Sequence, residues 1–220
     1  MSDIGGRLEI VSLWRMSDGR VSVKVIAENN SGKETVEFIL LERLYADLAL
    51  EKGEIDYDIL ENIEHFAEVS EAYRSACASF AYVPSSVRGL KRKLFAKGFS
   101  KIACDEALNI MVGEGFINED EIAIRKAQIS AGKLWGRTKI FAKLREEGFS
   151  DIAIEEADAA LDEVDFDDNC RRVIRKKYGS VPDDRREMEK MYAFLSRQGY
   201  SSAEIHKAVR MVRSEDRDPE

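Results

Sequence analysis

The chain has 220 residues, of which 44% are hydrophobic and 35% charged, with 3 prolines and 3 cysteines. No apolar run reaches the roughly 20 residues that a membrane-spanning helix needs, and MSDIGGRLEI at the N-terminus lacks the basic flank and apolar stretch of a secretory signal. Cys77, Cys104 and Cys170 are odd in number and far apart, which argues against a disulfide framework and a zinc site, so a cytoplasmic globular protein with no membrane contact and no cofactor is expected.

The net charge of -8 is unevenly spread. Residues 1–70 hold 7 basic and 15 acidic side chains, and the remainder is balanced at 27 of each. Within that remainder, residues 85–150 carry 13 basic against 8 acidic residues, whereas 151–170 carry 9 acidic and none basic. Blocks of one sign suit a surface that meets a structured, charged partner.

Taken in order, residues 7–15, 20–28 and 33–41 alternate or are rich in β-branched residues, with Ser17-Asp18-Gly19 and Asn29-Asn30-Ser31-Gly32 between them. This pattern predicts a three-stranded meander. From Leu41 the period becomes helical and ends near Gly53, and a second helix is expected over Tyr57–Ala67. Residues 1–70 thus form a small acidic α+β domain.

From Glu71 onward the chain reads as helices in threes. The first trio is Glu71–Tyr82, Ser85–Lys97 and Ser100–Val112. The second is Glu119–Ala131, Gly136–Glu147 and Ser150–Val164, and the third Asp167–Tyr178, Arg185–Gln198 and Ser201–Arg213. A leucine, a glycine four residues later, an aromatic and a serine recur at Leu94-Gly98-Phe99-Ser100, Leu144-Gly148-Phe149-Ser150 and Leu195-Gly199-Tyr200-Ser201. Each glycine is expected in the left-handed conformation just past a helix end, each serine as the next N-cap, and Ser201 with Glu204 as a capping box. The columns continue through Cys104, Ile154 and Ile205, then Ala107, Ala157 and Ala208, then Met111, Leu161 and Val212. A period of about fifty residues in register is a tandem repeat. The expected fold is mainly α: three three-helix repeats over 71–118, 119–166 and 167–213 in an elongated array, preceded by the α+β domain and followed by a disordered tail at 214–220.

No catalytic constellation emerges. His65 and His206 lack metal-ligand spacing, and neither a phosphate loop nor HExxH occurs. The acidic run at Asp165 fails as a calcium loop, since Cys170 and Lys176 stand where glycine and glutamate are required. Cys104 shares its column with Ile154 and Ile205 and is read as core. Trp135, ahead of Gly136, is either a hydrophobic staple or an exposed contact. The basic clusters are the candidate site: Arg88, Lys91, Arg92, Lys93, Lys97 and Lys101 in the first trio; Arg125, Lys126, Lys133, Arg137, Lys139, Lys143 and Arg145 in the second; and Arg171, Arg172, Arg175, Lys176 and Lys177 in the third. The residues selected as partner-binding are Arg88, Lys91, Arg92, Lys97, Arg125, Lys133, Arg137, Lys139, Lys143, Arg171, Arg175 and Lys176. A solvated helix face and a surface for nucleic acid or an acidic protein both remain open.

The stretch Glu71–Phe149 resembles the RecX family, regulators of the bacterial RecA recombinase. The resemblance lies in Arg88–Leu94, Lys97-Gly98-Phe99, Glu114–Asn118, Trp135-Gly136-Arg137 through Ile140 and Leu144, and Glu147-Gly148-Phe149. Gly89 departs from it, since members commonly carry an acidic residue there. The N-terminal strands resemble an extension found in a subset of the family. The resemblance implies a non-enzymatic, monomeric protein that lies in the groove of the RecA–DNA filament and damps its extension, ATPase, strand exchange and coprotease activities. Single- or double-stranded DNA is a second candidate partner, and a stand-alone DNA-binding protein built from helix-turn-helix-like units is the alternative.

Overall fold

The computed structural model describes residues 7–29 and 32–217. Alternation of Leu8 and Ile10 sets the buried face of β1 (Arg7–Arg15), which pairs antiparallel with β2 (Arg20–Asn29). Val11 is an extra residue between the pairs Ile10–Val25 and Ser12–Lys24. Such a bulge reverses the alternation, so Leu13 and not Ser12 packs on the core. β3 (Gly32–Leu41) completes the predicted meander; of the turn expected at Asn29–Gly32, Asn30 and Ser31 lie outside the described residues. A fourth strand, β4 (Gly53–Ile55), pairs with Leu8–Ile10 and gives the order β3-β2-β1-β4. Three residues are too few to show a period, so it was invisible in the sequence.

Between β3 and β4 lies α1 (Glu42–Leu48). α2 then runs unbroken from Tyr57 to Tyr82, where the sequence predicts two helices. Nothing at Glu68-Val69-Ser70 stops it: no glycine or proline intervenes, Val69 and Ser70 are buried, and the Ser70 hydroxyl donates to Phe66 O while accepting from Leu41 N. Ile63 joins the sheet core, whereas Val69 and Ala72 pack with Ala103 and Ala107. The boundary expected at 70/71 therefore falls inside one helix.

The remaining helices are α3 (Val87–Ala96), α4 (Lys101–Gly113), α5 (Glu119–Gly132), α6 (Arg137–Glu147), α7 (Asp151–Ala159), α8 (Phe166–Tyr178), α9 (Arg185–Arg197) and α10 (Ser202–Arg217). They confirm a mainly helical fold of three-helix repeats behind a small sheet. In each repeat the first helix packs along the third: α2 with α4, α5 with α7, α8 with α10. Alanines on facing sides let the axes approach, as with Ala123, Ala127 and Ala131 against Ala153 and Ala157. The chain packs as two compact units, Met1–Pro84 with Leu90–Ile117, and Ser85–Gly89 with Asn118–Glu220.

The repeated turn forms as its residues require. Gly98, Gly148 and Gly199 have φ of +94°, +88° and +93°. The following aromatic N–H donates back to the leucine carbonyl at 3.4, 3.1 and 3.2 Å, which is the Schellman pattern. Ser100 and Ser150 Oγ accept from Ala103 and Ala153 N, and Ser201 pairs reciprocally with Glu204. Inside the second unit these turns also receive the start of another helix. Ser86, capping α3, donates to Glu147 O at 2.7 Å; Gly136, fifty residues later and capping α6, donates its N–H to Gln198 O at 2.8 Å. A helix N-terminus, rich in N–H, thus sits on the carbonyl-rich end of another.

At the C-terminus α10 continues to Arg217, four residues beyond the predicted helix end and into the segment expected to be disordered. Glu215 and Asp216 hold it there by pairing with Arg171 and Arg175. Residues 218–220 of that expected tail lie outside the described residues.

A candidate anion-binding cleft

The predicted basic residues fall into distinct environments. In the first unit, Lys91 pairs with Asp105 and sits 5.7 Å from the Phe95 ring, Lys97 donates to Ser75 Oγ at 2.6 Å, and Arg92 is exposed. In the second, Arg88 is exposed beside the turn, where a Cβ on Gly148 would lie 3.0 Å from its own Cβ. Arg137 is drawn into the acidic run by Asp158 and Asp162, at 2.9 and 3.1 Å, and covers the Phe166 ring. Asp158 Oδ1 is buried without an aligned hydrogen bond, so its contact with Arg137 is one of charge rather than of geometry. Lys139 donates to Gln198 Oε1 and lies 4.2 Å from the centroid of Trp135, whose ring is half-buried against the core. Lys143 pairs with Glu146, three residues away, and Arg125 is exposed with no ion pair among the described residues.

Lys133, Arg171, Arg175 and Lys176 converge. With Gly132, Leu134 and Arg172 they line an open cleft of about 590 Å³ in the second unit, with no acidic residue in its lining. One wall is α8. Positions 171, 172, 175 and 176 are successive members of two i, i+4 pairs, so four cations share adjoining stripes of one helix face. The other wall is the end of α5, where Leu134 takes φ +62° and Trp135 N donates to Ser130 O, closing a turn that elsewhere uses glycine. A bulky left-handed residue needs outside support. It comes from Tyr200, whose hydroxyl donates to Leu134 O at 2.8 Å. Burial pushes the Tyr200 phenol well above its ordinary range, so it remains a proton donor.

Charge in the cleft is partly committed. Arg171 binds Asp168 and Glu215; Arg175 binds Glu215 and Asp216 as well as the carbonyls of Gly179 and Val212. The hydrogen bond it donates to Glu215, and then that to Asp216, hold the Arg175 guanidinium above its usual range; Asp168 as acceptor does the same for Arg171. Lys133, Arg172 and Lys176 are exposed, with no ion pair among the described residues. Arg172 belongs to the third basic cluster named from the sequence but not to the residues selected as partner-binding, and Leu134 was not singled out at all. Arg172 was legible as part of a basic run, but nothing marked Leu134, which lacks the glycine that signals a left-handed position. Both histidines are engaged elsewhere, His65 with Glu106 and His206 with Ser202 O.

Fold and cleft together define a tandem three-helix-repeat protein with a cationic cleft in its second unit. A family profile described as "RecX, third three-helix domain" matches residues 163–209, the stretch containing α8 and α9 and the start of α10. Regulatory protein RecX of Xanthomonas axonopodis pv. citri is 32% identical over 126 residues, covering 57% of this chain and 77% of the relative. The corresponding protein of Halorhodospira halophila is 29% identical over 153 residues, covering 67% and 92%. A crystal structure of regulatory protein RecX superposes with TM-score 0.72 at 17% identity, over 94% of this chain and 99% of the other. RecX from Lactobacillus salivarius gives 0.58 at 17% identity, over 67% and 97%. The chain belongs to the RecX family of regulatory proteins.

Proposed function

We propose that this protein binds the RecA–DNA filament and inhibits its extension, ATPase and strand exchange, acting as a cytoplasmic monomer without catalytic chemistry of its own. Membership of a family of regulatory proteins supports the general role. The observation that carries the contact surface is the convergence of Lys133 from the second repeat with Arg171, Arg172, Arg175 and Lys176 from the third on one cleft. A cationic cleft shared by successive repeats suits a repeating, acidic partner, and several weak contacts along a polymer add through effective concentration.

The test is an ATPase titration of the cognate recombinase on single-stranded DNA. The protein suppresses turnover at substoichiometric amounts, and Lys133→Glu with Lys176→Glu weakens suppression at least tenfold while helicity is unchanged. Full suppression by that variant rejects the cleft as the contact surface. The alternative, a stand-alone DNA-binding protein, is favoured by the same absence of acidic lining. It requires tight binding to bare duplex that falls steeply with salt, with no recombinase needed.

A further inference from the structure

The acidic end of α10 pairs with two of the arginines that line the cleft, without itself lining it. Glu215 contacts both Arg171 Nη1, at 3.0 Å, and Arg175 Nη2, at 2.8 Å, and Asp216 contacts Arg175 Nη1 at 2.7 Å. These arginines are two of the five cations that line it. The contacts are made across about forty residues of chain, so they are tertiary and not the incidental i, i+4 pairs of one helix. They are also partly solvated, with side chains 27–40% exposed, which keeps each pair weak enough for an outside anion to displace. Ser214–Arg217 carries none of the buried core of α10, whose last buried residue is Val212. The segment can therefore leave without opening the repeat.

We infer that the Glu215–Asp216 end of α10 is a built-in competitor for the cleft: it neutralises Arg171 and Arg175 in the free protein and must be displaced when the anionic partner binds. This rests on the reading of the cleft as the contact surface for the filament. The tail sets the threshold, so that only a partner able to engage several cations at once gains enough to displace it. Lys133, Arg172 and Lys176 remain available for first contact, and the two arginines join afterwards.

The experiment measures the affinity of the full-length protein for preassembled recombinase filaments on labelled single-stranded DNA, by anisotropy, with thermal melts as a folding control. Glu215→Gln with Asp216→Asn binds about fivefold tighter at low salt, the scale expected from removing a few weak competing pairs, and the gain fades as salt screens them. Arg217→Glu, which replaces a positive by a negative charge without removing an ion pair seen among the described residues, binds about twofold more weakly. Lys133→Glu with Lys176→Glu loses binding whether or not the tail is neutralised. If the tail variants match the parent while the cleft variant loses binding, the competitor is rejected and the cleft reading stands. Weaker binding with a lowered melting temperature in the neutralised-tail protein also rejects it, because the tail is then a strut. Parental binding by the cleft variant overturns both.

Discussion

Glycines of the repeated turn look alike in sequence but differ in what surrounds them. Gly98 needs its hydrogen only for backbone conformation, since nothing lies within 4 Å of an added Cβ. At Gly199 an added Cβ would be 2.4 Å from Lys139 N, and at Gly136 it would be 2.2 Å from Gly199 C, where backbone cannot retreat. Gly98→Ala should cost about 1–2 kcal/mol, the penalty of the left-handed region alone, whereas Gly199→Ala should cost more than about 3 kcal/mol because strain and overpacking add. Gly148→Val, opposed by positive φ and by the Arg88 side chain, should exceed about 1 kcal/mol. Chemical denaturation measures all three; equal costs at Gly98 and Gly199 would mean that the backbone contact at Gly136 is absent.

At the scale of the element, each serine that caps the third helix of its repeat also offers its own N–H, and a carboxylate takes it each time. Glu68 on α2 serves Ser100, Glu119 on α5 serves Ser150, and Glu204 serves Ser201 from within α10. Glu119 does more, since its other oxygen accepts Val87 N at the start of α3. Glu119→Ala therefore orphans the first turns of two helices and should cost about 2–3 kcal/mol, against roughly 1 kcal/mol for Glu204→Ala, which opens only an exposed capping box. A smaller loss at Glu119 than at Glu204, read from urea midpoints, would contradict the bridging role. Turn chemistry made the capping serines legible. The partners Glu68 and Glu119 were not, because each lies about thirty residues from the serine it serves. Helix α2 shows the converse: local patterning suggested a break at residues 68–70, and burial of Val69 and Ser70 between two cores carried the helix through.

Across the whole molecule, burial raises the pKa of titratable groups in both units: Tyr73, Cys77 and Cys104 in the first, Cys170, Tyr178 and Tyr200 in the second. Burial pushes the Cys170 thiol up to about 12 from an ordinary 9.0, and pushes the Tyr200 phenol up as well. A raised folded value means that the unfolded chain loses its proton first. The stabilisation is complete below about pH 9 and declines as pH rises toward 12. The melting temperature should therefore be flat between pH 7 and 8.5 and fall progressively above pH 9; Cys170→Ala should start lower but decline less steeply. A parallel decline in that variant would assign the alkaline sensitivity to other groups. The acidic bias of residues 1–70 belongs to the first unit, and the cationic cleft to the second.

The sequence by itself determined the periodicity: three helix trios, their glycine turns and serine caps, the strands and the resemblance to RecX. All of these depend on residues within one or two turns of each other, where backbone preference and hydrophobic spacing act. Only the tertiary structure decided which cations belong together. Ion pairs form between side chains brought close by packing, so Arg137 turns inward to the acidic run, Lys139 to Trp135 and Gln198, and Lys133 joins Arg171, Arg172, Arg175 and Lys176 at one cleft. Charge attracts through space and not along the chain, and a list of basic residues carries no record of that distance.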